Sequence, residues 1–216
     1  SAPGLDFVRK RINEALIQQA ALSTAPVHVL VDGKDVREVK QSELRDKIGY
    51  IPQKGNLFTG TISSNLRIAD ENAPDETLVE AINVAQASEF VFEEKDAEGL
   101  ETPISQGGMN VSGGQKQRLA IARALVKKPP IYIFDDSFSA LDFKTDSALR
   151  KALHENMGGS TVLIVTQRVA TVKNADQIIV LDDGRVVGKG THKELMETCD
   201  TYQEIATSQL SLEELR

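Results

Sequence analysis

The amino-acid sequence predicts an α/β fold in which a mostly parallel sheet is flanked by helices. From residue 112 onward, short apolar segments that lack alternation are separated by segments with helical spacing. Strands of this kind are typical of a parallel sheet that helices cover on both faces. Residues 55–105 are instead mostly helical and irregular in pattern.

The first predicted element is an amphipathic helix over residues 5–22, in which apolar residues recur at helical spacing. An alternating strand over 27–32 then enters a turn. The next elements are a short charged helix near 42–46, a strand over 48–52, and a helix over 76–87 for which Asp75 is the expected N-cap.

The second half alternates more regularly between helix and strand. A helix over 112–126 is expected to stop at the Lys-Lys-Pro-Pro segment 127–130, because proline disfavours helical geometry in the residue before it. The elements expected after it are a strand over 131–134, a helix over 145–156, strands over 161–166, 177–181 and 185–188, and a helical tail over 191–208.

Composition and length exclude several classes of protein. The 216 residues suffice for one large domain or two small ones, and the net charge of −7 argues against a dedicated nucleic-acid-binding protein. The single cysteine, Cys199, cannot form an internal disulfide; we expect a buried thiol and a reducing compartment. No apolar run approaches the ~20 residues that span a bilayer, and no signal peptide is visible, so we expect a cytoplasmic location without direct membrane insertion.

The most informative segment is Ser112-Gly113-Gly114-Gln115 at the start of the 112–126 helix. Ser followed three residues later by Gln matches a capping box, and taken alone it fits a helix start without further function. The two glycines weaken a helix, but they allow a ligand to approach the backbone closely. Because the first N–H groups of a helix lack internal partners, the segment predicts an anion site with phosphate as the ligand.

A second candidate site follows the apolar strand over 131–134, which ends in Asp135 and Asp136. Open α/β folds bind ligands at the carboxyl ends of their strands. Asp135 is therefore a candidate ligand of Mg²⁺, directly or through water, and Asp136 is a candidate to face an attacking water. The alternative is that the Asp-Asp-Ser segment only caps the next turn.

Together these motifs resemble the nucleotide-binding domain of an ATP-binding cassette (ABC) transporter of the exporter type, over roughly residues 27–210. Val111–Gln115 is similar to the signature loop of that family, and Asp135 to its Walker B aspartate. The remaining matches are Ser139–Asp142 with the D-loop, Gln53 with the Q-loop glutamine, residues 57–62 with the segment that follows it, and residues 190–195 with an exporter ending.

The resemblance implies a helical subdomain over about 60–125. It also implies two domains that pair head to tail around ATP and Mg²⁺. It implies nucleotide contacts by Gln53, Ser112, Gly113, Gly114, Gln115 and Asp142, and metal contacts by Asp135 and Gln53. In such a pair the signature loop of one domain closes on the nucleotide held by the other. The implied partners are a second nucleotide-binding domain and the membrane domain of a transporter, and no nucleic acid.

Two positions depart from the family pattern and concern catalysis. Asp136 stands where the family usually has Glu, and it is one methylene shorter. Gln167 stands where the family usually has His; a glutamine donates hydrogen bonds but cannot exchange a proton. Both catalytic positions therefore resemble the weakly hydrolysing, degenerate half of a heterodimeric exporter.

A third departure is that residues 1–216 contain no G-x-x-x-x-G-K-[ST] segment. The 5–22 helix, of unclear origin within residues 1–26, occupies the place of the helix that follows the P-loop. We therefore expect a partial domain over 27–210, with a tail over 211–216, that lacks the P-loop strands and neither binds nor hydrolyses ATP well alone. Open sheet edges would then favour a homo-oligomer.

Alternatives remain open at this point. The chain is consistent with a natural truncation, a chimera, or a fragment completed by another chain. It is also consistent with a non-enzymatic α/β scaffold, engineered or decayed, whose motifs are relics. A chromosome-maintenance ATPase head that binds DNA is disfavoured by the acidic charge and the lack of coiled-coil heptads.

Overall fold

The computed structural model describes residues 28–94 and 97–210, which fall into two compact units. The central unit spans Gln41–Val165, and the flanking unit unites the chain on either side of it. The helix predicted over residues 5–22 lies outside the described residues.

Among the described residues, the first elements of the flanking unit are the hairpin strands β1 (Leu30–Val31) and β2 (Lys34–Asp35), where a longer strand over 27–32 was predicted. Asp32 and Gly33 form the turn between them, both with positive φ. The guanidinium of Arg37 holds Asp35 through hydrogen bonds from Nε and Nη2 and lowers the pKa of that carboxyl.

The central unit contains a parallel sheet of three strands together with helices. Its helices are α1 (Gln41–Asp46), α2 (Ile62–Leu66), α3 (Asp75–Val84), α4 (Gly113–Val126) and α5 (Phe143–Asn156). Its strands are β3 (Ile48–Ile51), β4 (Gly60–Thr61), β5 (Pro103–Ile104), β6 (Ile131–Asp135) and β7 (Thr161–Val165). The order β3-β6-β7 is parallel throughout, which confirms the predicted parallel sheet, and β4 pairs with β5 in a separate antiparallel ribbon.

The core of the central unit forms around β6 and α4. Phe134 on β6 is 1% exposed and stacks on Phe138, with ring centroids 5.2 Å apart. Leu119 and Ile121 of α4 are fully buried in the same cluster. Burying a side chain of this size contributes about 1.5–3 kcal/mol, so these contacts fix the end of β6 firmly against the start of the next loop.

One prediction for the central unit is wrong. Asp75 is not an N-cap: the helix α3 starts at Asp75 itself, after Pro74, and the Asp75 carboxylate pairs with Arg67 at 2.5 Å. Proline supplies the extended residue before the helix, so no side-chain cap is formed there. Among the described residues β7 is an edge strand of this sheet, and its Val162, Leu163 and Val165 are 42–48% exposed.

The remainder of the flanking unit contains α6 (Val169–Val172), β8 (Ile178–Asp182), β9 (Arg185–Gly190), α7 (His192–Thr198) and α8 (Asp200–Gln209). Both predicted strands are present, but they pair with each other as an antiparallel hairpin. The predicted helical tail breaks at the extended residue Cys199, whose thiol is buried as expected. Throughout 28–94 and 97–210, every helix is too short or too polar to span a bilayer.

Candidate functional site

The N-terminus of α4 has the geometry that the sequence predicts. Ser112 is the N-cap: its Oγ accepts the N–H of Gln115 at 3.2 Å, while Gln115 Oε1 accepts the N–H of Ser112 at 2.8 Å. The capping box satisfies these two donors and leaves the N–H groups of Gly113 and Gly114 without helical partners. Gly113 is exposed, and a Cβ built on it would meet no atom within 4 Å, so the backbone is uncovered on that side.

A loop from the end of β6 lies against this turn. An ideal Cβ on Gly114 would be 3.5 Å from the carbonyl oxygen of Ala140. Two residues later Asp142 caps α5, accepting the N–H of Thr145 at 2.9 Å and its hydroxyl at 2.7 Å. These hydrogen bonds lower the pKa of Asp142. The structure thus engages both carboxylate oxygens of Asp142 in helix capping.

Arg118, on the second turn of α4, contacts the first turn of the same helix. Its Nη1 donates to the carbonyl of Gln86 at 2.6 Å and its Nε to the carbonyl of Gly114 at 3.4 Å, with the guanidinium 4.8 Å from the centre of the Phe90 ring. Burial lowers the pKa of Arg118, and the nearby Asp142 carboxylate raises it. Sequence analysis assigned no contact to Arg118. A charged residue on a largely buried helix was the signal that could have indicated one.

Asp135 is the last residue of β6 and is 5% exposed. Its Oδ2 accepts a hydrogen bond from the Tyr50 hydroxyl at 3.1 Å. Tyr50 lies on β3, where its backbone is in register with Ile133, so the pairing of two strands brings these side chains together. Tyr50 was also missed, because a contact across 85 residues leaves no local signal.

Asp136 follows in a left-handed conformation, with φ of 48°, which aspartate tolerates better than most residues. Its N–H donates to the carbonyl of Val165 at 2.7 Å, and its Oδ2 accepts the Nε2 of Gln53 at 3.0 Å. The loop after β3 and the end of β6 therefore bring two predicted site residues into direct contact.

Gln167 belongs to the flanking unit. Its carbonyl accepts Nε2 of Gln209 at 2.8 Å, and Gln209 Oε1 accepts the N–H of Val169 at 2.9 Å. The side chain of Gln209, on α8, thus holds the backbone on both sides of Arg168. Within the central unit the structure brings together Gln53 with Asp136, and Gly114 with the loop before Asp142.

A family model described as ABC transporter matches residues 17–139, more than half of the 216 residues. The chain belongs to the ABC transporter family. It is 48% identical over 184 residues to an uncharacterized ABC transporter ATP-binding protein of Mycobacterium tuberculosis, a match that covers 84% of this chain and 31% of the relative.

Two further similarities are to proteins that are named for translocation or export. The Toxin RTX-I translocation ATP-binding protein of Actinobacillus pleuropneumoniae is 42% identical over 168 residues, covering 78% of this chain and 24% of the relative. The structure of a bacterial Atm1-family ABC exporter with ATP bound superposes with a TM-score of 0.80 at 33% identity, over 85% of this chain and 32% of that one. The chain therefore spans about a third or less of the proteins it matches, and its fold is that of an ABC nucleotide-binding domain.

The ABC family implies ATP, usually with Mg²⁺, and the polar groups around Asp135 fit such an ion. The described residues contain no cluster of three or more His, Cys, Asp or Glu that could hold a metal. Mg²⁺ needs no such cluster, because it keeps several waters and takes one or two protein oxygens together with phosphates. Asp135 offers a carboxylate, and Gln53, which uses its Nε2 toward Asp136, has its carbonyl oxygen for an ion.

Proposed function

We propose that this ABC domain completes an ATP site in trans within an exporter, by placing the N-terminus of α4 against the triphosphate held by a partner domain. The observation that carries the proposal is the exposed turn at Gly113, which no other part of the chain covers on its Cβ side and which lies beside a complete capping box. Such a turn attracts anionic oxygens through its dipole and its unpaired donors. Relatives named for export and translocation support the exporter assignment.

The proposal includes weak hydrolysis at the site that this chain's own Asp135 and Asp136 would serve. Asp136 is shorter than glutamate and accepts the Nε2 of Gln53, so its carboxylate is drawn toward that loop. Gln167 cannot exchange a proton. When bound, Mg²⁺ would neutralise phosphate charge there, and Asp135 with the Gln53 carbonyl would hold it.

The proposed partners are a second nucleotide-binding domain and the membrane domain of the transporter, at the cytoplasmic face of the membrane. We further propose that the helical subdomain over about 60–125 carries the signature loop. We also propose self-association through the exposed edge strand β7, because Thr161–Val165 contains no charged residue or proline that would protect an edge.

The direct experiment is an NMR titration of the ¹⁵N-labelled chain with Mg·ATP. We expect shifts of the Gly113, Gly114 and Gln115 amides with an affinity no tighter than about millimolar, since one helix N-terminus makes few contacts. Ser112→Arg should abolish the shifts. Thr191→Arg is the matched control, because Thr191 and Glu194 form the same capping box at α7.

A second arm measures catalysis in trans. The chain should raise the ATPase rate of a nucleotide-binding domain that carries a P-loop, and Ser112→Arg should remove the increase. An isolated chain that binds Mg·ATP at micromolar concentration, or hydrolyses it at an ordinary rate with Asp136 essential, contradicts the proposal.

A further inference from the structure

A buried amide side chain connects the loop that carries Gln53 to helix α4. Gln117, two residues after the capping-box residue Gln115, is 1% exposed. Its Oε1 accepts the N–H of Gly55 at 2.7 Å, and its Nε2 donates to the carbonyl of Pro52 at 2.9 Å. These two backbone groups lie on either side of Gln53, so one side chain fixes both ends of the segment that presents it.

The packing of the same loop on α4 is close. An ideal Cβ on Gly55 would be 2.6 Å from the backbone oxygen of Lys116, a distance that excludes any side chain. The loop therefore lies directly on the helix backbone between the capping box and Gln117. Hydrogen bonds and backbone contact independently tie the loop to the helix.

We infer that Gln117 is a positioning residue that couples Gln53 to the N-terminal turn of α4. Through Gln117, an anion that binds at Gly113–Gln115 changes the position of the Gln53 carboxamide. Because Gln53 also donates to Asp136, the coupling extends to the end of β6. The inference rests on the proposed function only for the identity of the anion, a phosphate of the partner's nucleotide.

A matched control is available within the same unit. Asn65 is also 1% exposed, and its amide likewise joins a loop, accepting the N–H of Phe58 and donating to its carbonyl, both at 2.8 Å. Removing the Asn65 amide breaks a comparable buried clamp but leaves the connection between Gln53 and α4 intact. A merely structural role would give the same result at both positions.

The test measures coupling in the ¹⁵N-labelled chain without ligand. Ser112→Ala perturbs the start of α4, and the response is the shift of the Gly55 backbone amide and of the Gln53 side-chain NH₂. We expect a clear response in the parent chain and in the Asn65→Leu background. In the Gln117→Met background it should fall by at least roughly threefold.

The inference is overturned if Ser112→Ala shifts the Gln53 side-chain NH₂ as much in the Gln117→Met background as in the parent chain. It is also overturned if Ser112→Ala causes no shift in the parent chain. Should Gln117→Met fail to fold, Gln117→Glu keeps the acceptor for Gly55 and loses the donor to Pro52; we expect an intermediate response, and a full response overturns the inference.

A parallel titration with Mg·ATP separates this inference from the proposed function. Absence of shifts at Gly113–Gln115 contradicts the anion site, whereas the ligand-free comparison decides the role of Gln117 in either case. With ATP bound, the Gln53 response should again depend on Gln117 and not on Asn65.

Discussion

The side-chain amide of Gln53 donates a hydrogen bond to the carboxylate of Asp136 over 3.0 Å, although 83 positions separate the two residues. The contact joins the loop after β3 to the residue that follows β6. It gives the shorter carboxylate at this position a specific partner, so the Asp136 side chain is held by the protein and not directed freely into solvent.

The first prediction is that Asp136→Glu raises ATP hydrolysis in the assembled transporter. The added methylene extends the carboxylate by more than 1 Å, and a misplacement of about 1 Å costs roughly a hundredfold in rate. We expect an increase of at least roughly tenfold in kcat, measured with a coupled ATPase assay. Asp135→Glu is the control and should lower the rate, because it displaces the proposed Mg²⁺ ligand. An unchanged rate in Asp136→Glu would show that the length of this side chain is not limiting.

The second prediction separates helix capping from anion binding. Ser112→Ala and Thr191→Ala each remove an N-cap from a capping box, at α4 and α7. Each should cost about 1 kcal/mol of stability, measured by urea unfolding. Only Ser112→Ala should also weaken the response of the Gly113 amide to Mg·ATP. Equal ATP responses in the two variants would mean that the Ser112 cap has no part in anion binding.

Local signals account for what the sequence predicts correctly. Ser112, the glycines after it and Pro129 mark both ends of α4, and the apolar run before Asp135 marks β6. The Asp75 cap was wrong because Pro74 supplies the helix start instead. The partners of the site residues were not predictable, since Tyr50 meets Asp135, and Gln117 meets Gly55, only when β3 pairs with β6 and packs on α4. The roles of the predicted site residues stay predictions.

The third prediction compares two phenylalanines in the central unit. Phe134→Ala removes a ring that is 1% exposed and stacked on Phe138, so it should destabilise the protein by about 3–5 kcal/mol. Phe143→Ala removes a ring that is 76% exposed at the start of α5, and its effect should stay within about 0.5 kcal/mol. Both values come from urea unfolding followed by circular dichroism. A large loss of unfolding free energy in Phe143→Ala would contradict the exposure of this ring in the described structure.

The fourth prediction concerns pH and the flanking unit. His192, the first residue of α7, makes a hydrogen bond through Nδ1 with the Tyr202 hydroxyl at 2.8 Å, and the two rings pack edge to face. Burial, and to a smaller extent the charge of Lys173, lower the pKa of His192. The native state therefore favours the neutral ring, whereas the unfolded chain takes up a proton near the ordinary value of 6.5.

Because the pKa of His192 is lower in the folded than in the unfolded state, the stability of the fold decreases as the pH falls. Above pH 6.5 both states hold a neutral His192, and the full stability is present. As the pH falls through the unfolded pKa toward the lower folded one, the unfolded state binds the proton first, so stability decreases. Thermal unfolding should be measured between about pH 7.5 and about pH 5, because these limits bracket the ordinary titration range of histidine. Over this range Tm should fall less in His192→Gln than in the parent chain. His154→Gln, at an exposed histidine of α5, is the control and should keep the parent's dependence. Equal pH dependence in all three proteins would contradict the prediction. His192 would then bind its proton equally well in the folded and unfolded chain, despite its burial and its contact with Tyr202.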